Sequence, residues 1–316
     1  MRRWNLVDWA VAVYATYVAV IILVGHGSIP EWLPLFLLHV ALLVCLWLLP
    51  ARGATWELPI PNEPQWRMST REVVRFVRYM YPLIFILVFF EEGRLIVNSL
   101  FPETPYWFEP HLYAADRWLL GDLPSIRMVP WMSWPLTELM HTFYFSYFAI
   151  LIGGPVFAVF AAKRRSGGKR GFRGREFDYA LGSMTFGFLC AYVWYPWLAA
   201  RGPFENPALI SSLPPFEGGP FTFLARWITD GAAVSGNCFP SAHVAGTWGL
   251  TFGVASFHRK AGWVLALVAI GVSLSCVYTR YHHAVDVPAG FLMGLTGAIL
   301  FRLLSRTHGI RQESFG

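Results

Sequence analysis

The stretch Lys260–Leu304, KAGWVLALVAIGVSLSCVYTRYHHAVDVPAGFLMGLTGAILFRLL, sets two apolar runs on either side of a polar knot. Each run is close to the ~20 residues that a helix needs to cross a bilayer. Between them, Arg280, His282, His283 and Asp286 interrupt the hydrocarbon. Ionisable side chains in such a setting are costly, and they mark a functional site by default. Two spans joined by so short a link run antiparallel, which places the knot at one face of the membrane.

The rest of the chain repeats the pattern. Of its 316 residues, 55% are hydrophobic and 14% charged, against roughly a quarter charged in soluble domains. Apolar periodicity gives eight spans: Asn5–Val24, Trp32–Leu49, Tyr79–Asn98, Trp134–Phe160, Phe177–Leu198, His243–Ser256, Gly262–Tyr281 and Asp286–Leu303. The expected fold class is all-α, a polytopic membrane bundle of about eight helices. Residues 1–60 carry two N-terminal spans, 73–305 a six-helix core, and 306–316 a cytoplasmic tail. Within the core, the Pro- and Trp-rich segment 100–133 reads as an interfacial element with its tryptophans at headgroup level. The apolar run behind Arg2 and Arg3 is long and lacks a small-residue cleavage site, so it reads as a retained anchor.

Charge placement orients this threading. With the N-terminus inside, 19 of the 25 Lys and Arg fall on inner segments, seven of them in KRRSGGKRGFRGRE (Lys163–Glu176). That distribution obeys the positive-inside rule. It places both termini in the cytoplasm and the polar knot on the outer face, with a bacterial inner membrane favoured by the compact loops. The net charge of +6 is thus a topology signal, and no nucleic-acid partner is expected. Cys45, Cys190, Cys238 and Cys276 have irregular spacing and form neither a CxxC pair nor a disulfide framework.

Topology gathers four polar features on the outer face: RGPFE at Arg201, FPSAH at Pro240, Ser241 and His243, YTRYHH from Tyr278, and Asp286. His282 and Asp286 are four apart and share one face of a helical turn. A carboxylate on one ring nitrogen fixes the tautomer and leaves the other nitrogen nucleophilic. Pro240-Ser241 reads as a helix start, where free N–H groups and the dipole favour an anion. Arg201 and Arg280 supply forks suited to phosphate oxygens. The set suits phosphoryl transfer without a metal or any other cofactor.

CFPSAHVAG followed by SCVYTRYHHAVDVPAG resembles the type 2 phosphatidic acid phosphatase superfamily. Within it, the chain looks most like the inositolphosphotransferase branch that includes fungal inositol phosphorylceramide synthase. Pro240-Ser241-Ala242-His243 stands for the family's Pro-Ser-Gly-His motif; Ser275-Cys276, His282 and Asp286 stand for its closing motif. The first motif, Lys-x6-Arg-Pro, has no copy beyond Arg201 and Pro203, and Cys276 replaces a phosphate-binding arginine. On a helix, Arg280 would share the face of Cys276 and could substitute for it. The resemblance implies ping-pong chemistry. His282 attacks phosphorus to give a phosphohistidine, Asp286 orients it, and His243 serves the leaving and entering hydroxyls. Arg201, Arg280 and the N–H groups at Ser241 hold the oxygens. The donor would be a phospholipid or lipid phosphate in the bilayer, and the acceptor a hydroxyl of a lipid, a polyol or water.

Further polar residues carry weaker expectations. Glu91 and Glu92 lie within a span beside Arg94, either ion-paired to it or lining a substrate cavity. Tyr278 and His283 are cavity candidates, His283 having left the face shared by His282 and Asp286. His141 reads as hydrogen-bonded structure, and Asp116 and Arg117 as fixing the interfacial element. The competing classes are a membrane haem protein using His141, His243 or His282, and a non-catalytic lipid carrier or scramblase.

Overall fold

The computed structural model describes residues 4–48, 70–103, 105–165, 175–232 and 236–307. Among these the chain is all-helical, with one isolated bridge, Ala200 to Asn237. We label the longer helices α1 (Leu6–Val24), α2 (Trp32–Leu48), α3 (Thr70–Leu100), α4 (Glu109–Leu120), α5 (Trp134–Arg165), α6 (Arg175–Tyr192), α7 (Pro220–Ala232), α8 (Ala242–Ala255), α9 (Arg259–Tyr278) and α10 (Asp286–Thr307). Each of the eight expected spans coincides with one of them. Four segments are long and apolar enough to cross a membrane on those criteria alone: Leu6–Val24, Trp134–Phe157, Arg259–Tyr278 and Asp286–Arg306. Trp263, Leu267, Leu274 and Leu292 stand exposed on α9 and α10, a lining that lipid rather than water would cover. These are the features of an integral membrane protein.

Local chemistry sets the helix ends. Asn5 and Asp8 close a reciprocal capping box at α1, with Asp8 N–H donating to Asn5 Oδ1 at 2.8 Å and Asn5 N–H to Asp8 Oδ2 at 3.0 Å. Gly121 ends α4 at φ 77°, a left-handed cap that glycine adopts without a Cβ clash. Two helices stop earlier than apolarity indicated: α6 ends at Tyr192 rather than Leu198, and α9 at Tyr278 rather than Tyr281. In both, the backbone turns aside to build the site. The basic run 163–176 and the tail fall largely outside the described residues.

The centre of the bundle is the mutual packing of α6, α8 and α10, with α9 against α8 and α5. Small residues let these backbones approach. A Cβ on Gly297 of α10 would lie 2.3 Å from the Gly187 amide nitrogen of α6, and one on Gly294 would lie 2.6 Å from the Ala245 carbonyl of α8. Close backbone approach through small residues is how helices gain packing in lipid, which offers no hydrophobic driving force between them. Outside this core, α1 pairs with α2 and leans on α6. His39 of α2 meets Glu92 of α3 at 3.2 Å, both side chains buried.

Candidate active site

The C-terminal ends of α6 and α9 and the N-terminal ends of α8 and α10 converge, as antiparallel threading requires, and their connecting loops are stitched together. The bridge joins Ala200 and Asn237 through Cys238 N–H to Ala200 O at 3.1 Å. Ser241 caps α8, its Oγ accepting from Val244 N–H at 3.4 Å. A Cβ on Gly290 of α10 would lie 2.5 Å from the Ser241 carbonyl, so this glycine lets α10 seat against the start of α8.

Here His282 is the hub. Its Nδ1 lies 3.0 Å from Asp286 Oδ2, and its Nε2 lies 3.1 Å from Ser241 Oγ and 3.3 Å from His243 Nδ1. The carboxylate only accepts, so the His282 proton sits on Nδ1 and the Nε2 lone pair faces the cavity. His243 Nδ1 then carries the proton directed at that lone pair, while its Nε2 accepts from the Tyr144 hydroxyl at 3.1 Å. Asp286 Oδ2 also accepts from the His283 amide at 2.9 Å and the Cys238 thiol at 2.9 Å. His282 and Asp286 are buried, 5% and 0% exposed, so their charges act without bulk-water screening.

Around this dyad, α4 works as a clamp. Asp116 accepts from the amides of Ala284 and Val285, both at 3.1 Å, and lies 3.3 Å from His283 Nδ1. His283 Nε2 meets the Arg201 carbonyl at 3.2 Å, and Tyr113 packs edge-on against its ring. Burial works against a charge on His283, but Asp116 and Asp286 outweigh it and hold the ring above its ordinary pKa. The expectation that Asp116 fixes the interfacial element thus acquires an anchor point: the loop that delivers the dyad.

The structure brings together His282, His243, Asp286 and Ser241, and it separates the rest. Arg201 makes a two-pronged pair with Glu109 of α4 at 2.9 and 3.1 Å, and this neighbour raises the guanidinium's already high pKa. Its fork is therefore engaged by a carboxylate rather than open to phosphate. Arg280 departs furthest from expectation. Because α9 has already ended at Tyr278, Arg280 adopts φ 67° and no longer shares a helical face with Cys276. Its guanidinium donates to the Pro214 carbonyl at 3.0 Å and stacks over Phe216, away from the histidines. Tyr278 turns to Thr137, hydroxyl to hydroxyl at 2.8 Å. His283 is held by the clamp, and neither of these two lines the cavity.

That cavity, of about 260 Å³, opens beside His243 and His282 and is lined by Glu91, Asn237, Tyr144, Phe204 and Tyr281 among others. The two acidic neighbours on α3 divide. Glu91 faces the cavity and pairs loosely with Arg94 at 3.4 Å, whereas Glu92 points to His39. His141 is hydrogen-bonded structure: its Nδ1 meets the Thr137 carbonyl at 2.9 Å and Thr222 Oγ1 at 3.2 Å. His243 and His282 touch directly, which leaves no room for a porphyrin between them. Two triads, Cys238–His282–Asp286 and His243–Cys276–His282, lie close enough to ligate a metal ion. Tyr144, Cys238 and Glu109 were not singled out from sequence as members of the site. A tyrosine in HTFYFSYF looks like lipid packing until the fold turns it on His243.

An all-helical bundle with a buried His–Asp pair at a helix N-terminus defines a class, and comparison with known proteins points the same way. Residues 208–309 match the PAP2 superfamily, which supports placing this part of the chain in that superfamily; the matched segment contains Ser241, His243, His282 and Asp286. The bacitracin transport permease protein BcrC of Bacillus licheniformis is 35% identical over 63 residues, covering 20% of this chain and 31% of that protein. The chain therefore spans under a third of the relative's length. No solved structure matches.

Proposed function

We propose that the protein is a membrane-embedded lipid phosphotransferase that moves a phosphoryl or phospho-headgroup from a phospholipid to a hydroxyl acceptor through a phosphohistidine. The observation that carries this reading is the His282 ring, with Nδ1 committed to Asp286 and Nε2 aimed at His243 and the start of α8. The His282 Nε2 lone pair attacks phosphorus and the bond to the leaving alcohol breaks. His243, once protonated at Nε2 as well, gives its Nδ1 proton to that oxygen, is left as the neutral ring, and later takes a proton from the acceptor. Asp286 stabilises the imidazolium character that develops on His282. With Arg201 and Arg280 engaged elsewhere, the phosphoryl oxygens face the Ala242 and His243 N–H groups in the first turn of α8, where Val244 N–H is already capped by Ser241.

Hydrolysis shares the first half-reaction, and the superfamily match favours it as the second reading, with water as acceptor. The site would face the outside of the membrane, in a bacterial cell the periplasm, with both termini cytoplasmic.

The test is to incubate purified protein with phosphorus-labelled phospholipid, quench in alkali and map the label. An acid-labile, alkali-stable adduct on His282 is expected, with release that depends on an added hydroxyl acceptor. Label absent from His282 would overturn the mechanism, and phosphate release indifferent to acceptor would leave a phosphatase. Turnover should survive chelators; strong EDTA inhibition would assign the Cys238–His282–Asp286 triad to a metal instead.

A further inference from the structure

The two oxygens of Asp286 are unevenly served. Oδ2 is met by three donors at once: His282 Nδ1 at 3.0 Å, the His283 amide at 2.9 Å and the Cys238 thiol at 2.9 Å. Oδ1 is buried with it and meets no donor among the described residues. A carboxylate offers about two lone-pair sites per oxygen, so three donors on one oxygen divide what two would fill. The His283 amide belongs to the backbone, which leaves Cys238 as the side chain that competes with His282. Its place is set by the bridge, where the Cys238 amide donates to Ala200 O at 3.1 Å. The other carbonyl within reach of the thiol, that of Tyr281, lies further off at 3.6 Å. Burial first, and then the Asp286 charge, hold the thiol well above its ordinary pKa, so it keeps its proton and stays a donor.

Resting on the phosphotransfer reading, we infer that Cys238 is a positioning residue for the second half-reaction: by occupying part of Asp286 Oδ2, it keeps the proton on His282 Nδ1 while the phosphoryl group leaves Nε2. In that step the acceptor oxygen bonds to phosphorus and the acceptor proton passes to His243. The P–Nε2 bond breaks, and its electron pair returns to the His282 ring. With Nδ1 still protonated, the ring departs as neutral imidazole. Had Asp286 drawn that proton away, the ring would have to depart as an imidazolide anion, a far poorer leaving group. The same competition acts in the opposite sense on the first half-reaction, where a stronger pull on Nδ1 makes Nε2 the better nucleophile. Cys238 thus moves the balance between attack and release toward release. A thiol is a weak donor, so it moderates the His282–Asp286 bond and leaves it in place at 3.0 Å.

The test times the two half-reactions separately. The full chain in detergent is mixed with phosphorus-labelled phosphatidic acid, a monoester, or phosphatidylglycerol, a diester, and the arrival of label on His282 is followed by rapid quench. A chase of excess unlabelled lipid and glycerol then gives the rate at which the label is lost. In Cys238→Ala, and in Cys238→Val, which fills the volume of the thiol without a donor, loss of label should slow about threefold to tenfold, the scale of one hydrogen bond, while its arrival does not slow. Cys238→Ser restores a donor and should return the loss to the wild-type rate or above. Arrival and loss that slow together would mean a merely structural role and overturn the inference, as would a Ser variant as slow as Ala. Wild-type protein that takes no label on His282 from either lipid would overturn the phosphotransfer reading. Label on wild-type His282, lost at the same rate in all three variants, would overturn the Cys238 inference alone.

Discussion

Tyr144 shows how far a single side chain's role depends on the fold. On α5 it stands among Phe143, Phe145, Tyr147 and Phe148, yet its hydroxyl lies 3.1 Å from His243 Nε2. By donating there in the resting neutral ring, it holds the His243 proton on Nδ1, facing His282. Tyr144→Phe is therefore expected to lower kcat roughly tenfold with little change in KM, since one hydrogen bond contributes ~0.5–1.5 kcal/mol. Asp286→Asn should be far more severe, about 10³–10⁴-fold, because an amide in that place favours the wrong His282 tautomer. Steady-state kinetics on the two variants checks both; a Tyr144→Phe enzyme with full kcat would remove this tyrosine from the proton path. His243, His282 and Asp286 were legible in the sequence because their spacing and the topology coincide. Tyr144 and Cys238 were not, since a tyrosine or a cysteine in an apolar run has many bland uses and only three-dimensional proximity selects one.

At the scale of elements, α4 does more than lie at a surface. Through Asp116 and Glu109 it grips the backbone of 284–285 and the side chain of Arg201. The sequence reading expects the segment at the interface from its prolines and tryptophans, and Trp118 is exposed. It could not reveal the grip, because Asp116 and His283 are far apart in the chain and no local periodicity links them. The Arg280 expectation failed for a related reason: an i, i+4 argument holds only while the helix continues, and α9 stops two residues earlier. The clamp has a pH signature. His283 is held above its unfolded pKa of ~6.5, so its contribution to stability is complete below that value and lost as pH rises through the higher folded value. Between pH 6 and 9 the melting temperature in detergent should fall by about 2–4 °C for each kcal/mol lost. His283→Gln should flatten that slope, and an unchanged slope would show that the ring is not the titrating group.

For the whole molecule, the positions of the eight expected apolar helices and the convergence of their ends were readable from hydropathy and antiparallel threading. What hydropathy cannot convey is how the N-terminal pair of helices is fixed to the remainder. His39 and Glu92 provide one buried fastening, with His39 also stacked on Phe89. Breaking a buried pair strands an uncompensated group, whereas replacing both partners with apolar residues can be neutral or better. Glu92→Leu alone should destabilise by about 3–5 kcal/mol, and His39→Leu/Glu92→Leu together should recover most of that. Thermal unfolding of the two singles and the double in one detergent checks it. Additive losses would mean that the pair is not coupled.

The burial of His282 has a kinetic consequence. On the proposed mechanism, a phosphorylated His282 that is 5% exposed meets only what the cavity admits, so water and the acceptor compete for one antechamber rather than for an open surface. The split between transfer and hydrolysis is then a partition ratio set by residence: the longer an acceptor occupies the space beside Tyr144 and Tyr281, the fewer intermediates are lost to solvent. On the proposed reading, widening that space would raise the hydrolysed share without any change to the groups that perform the chemistry.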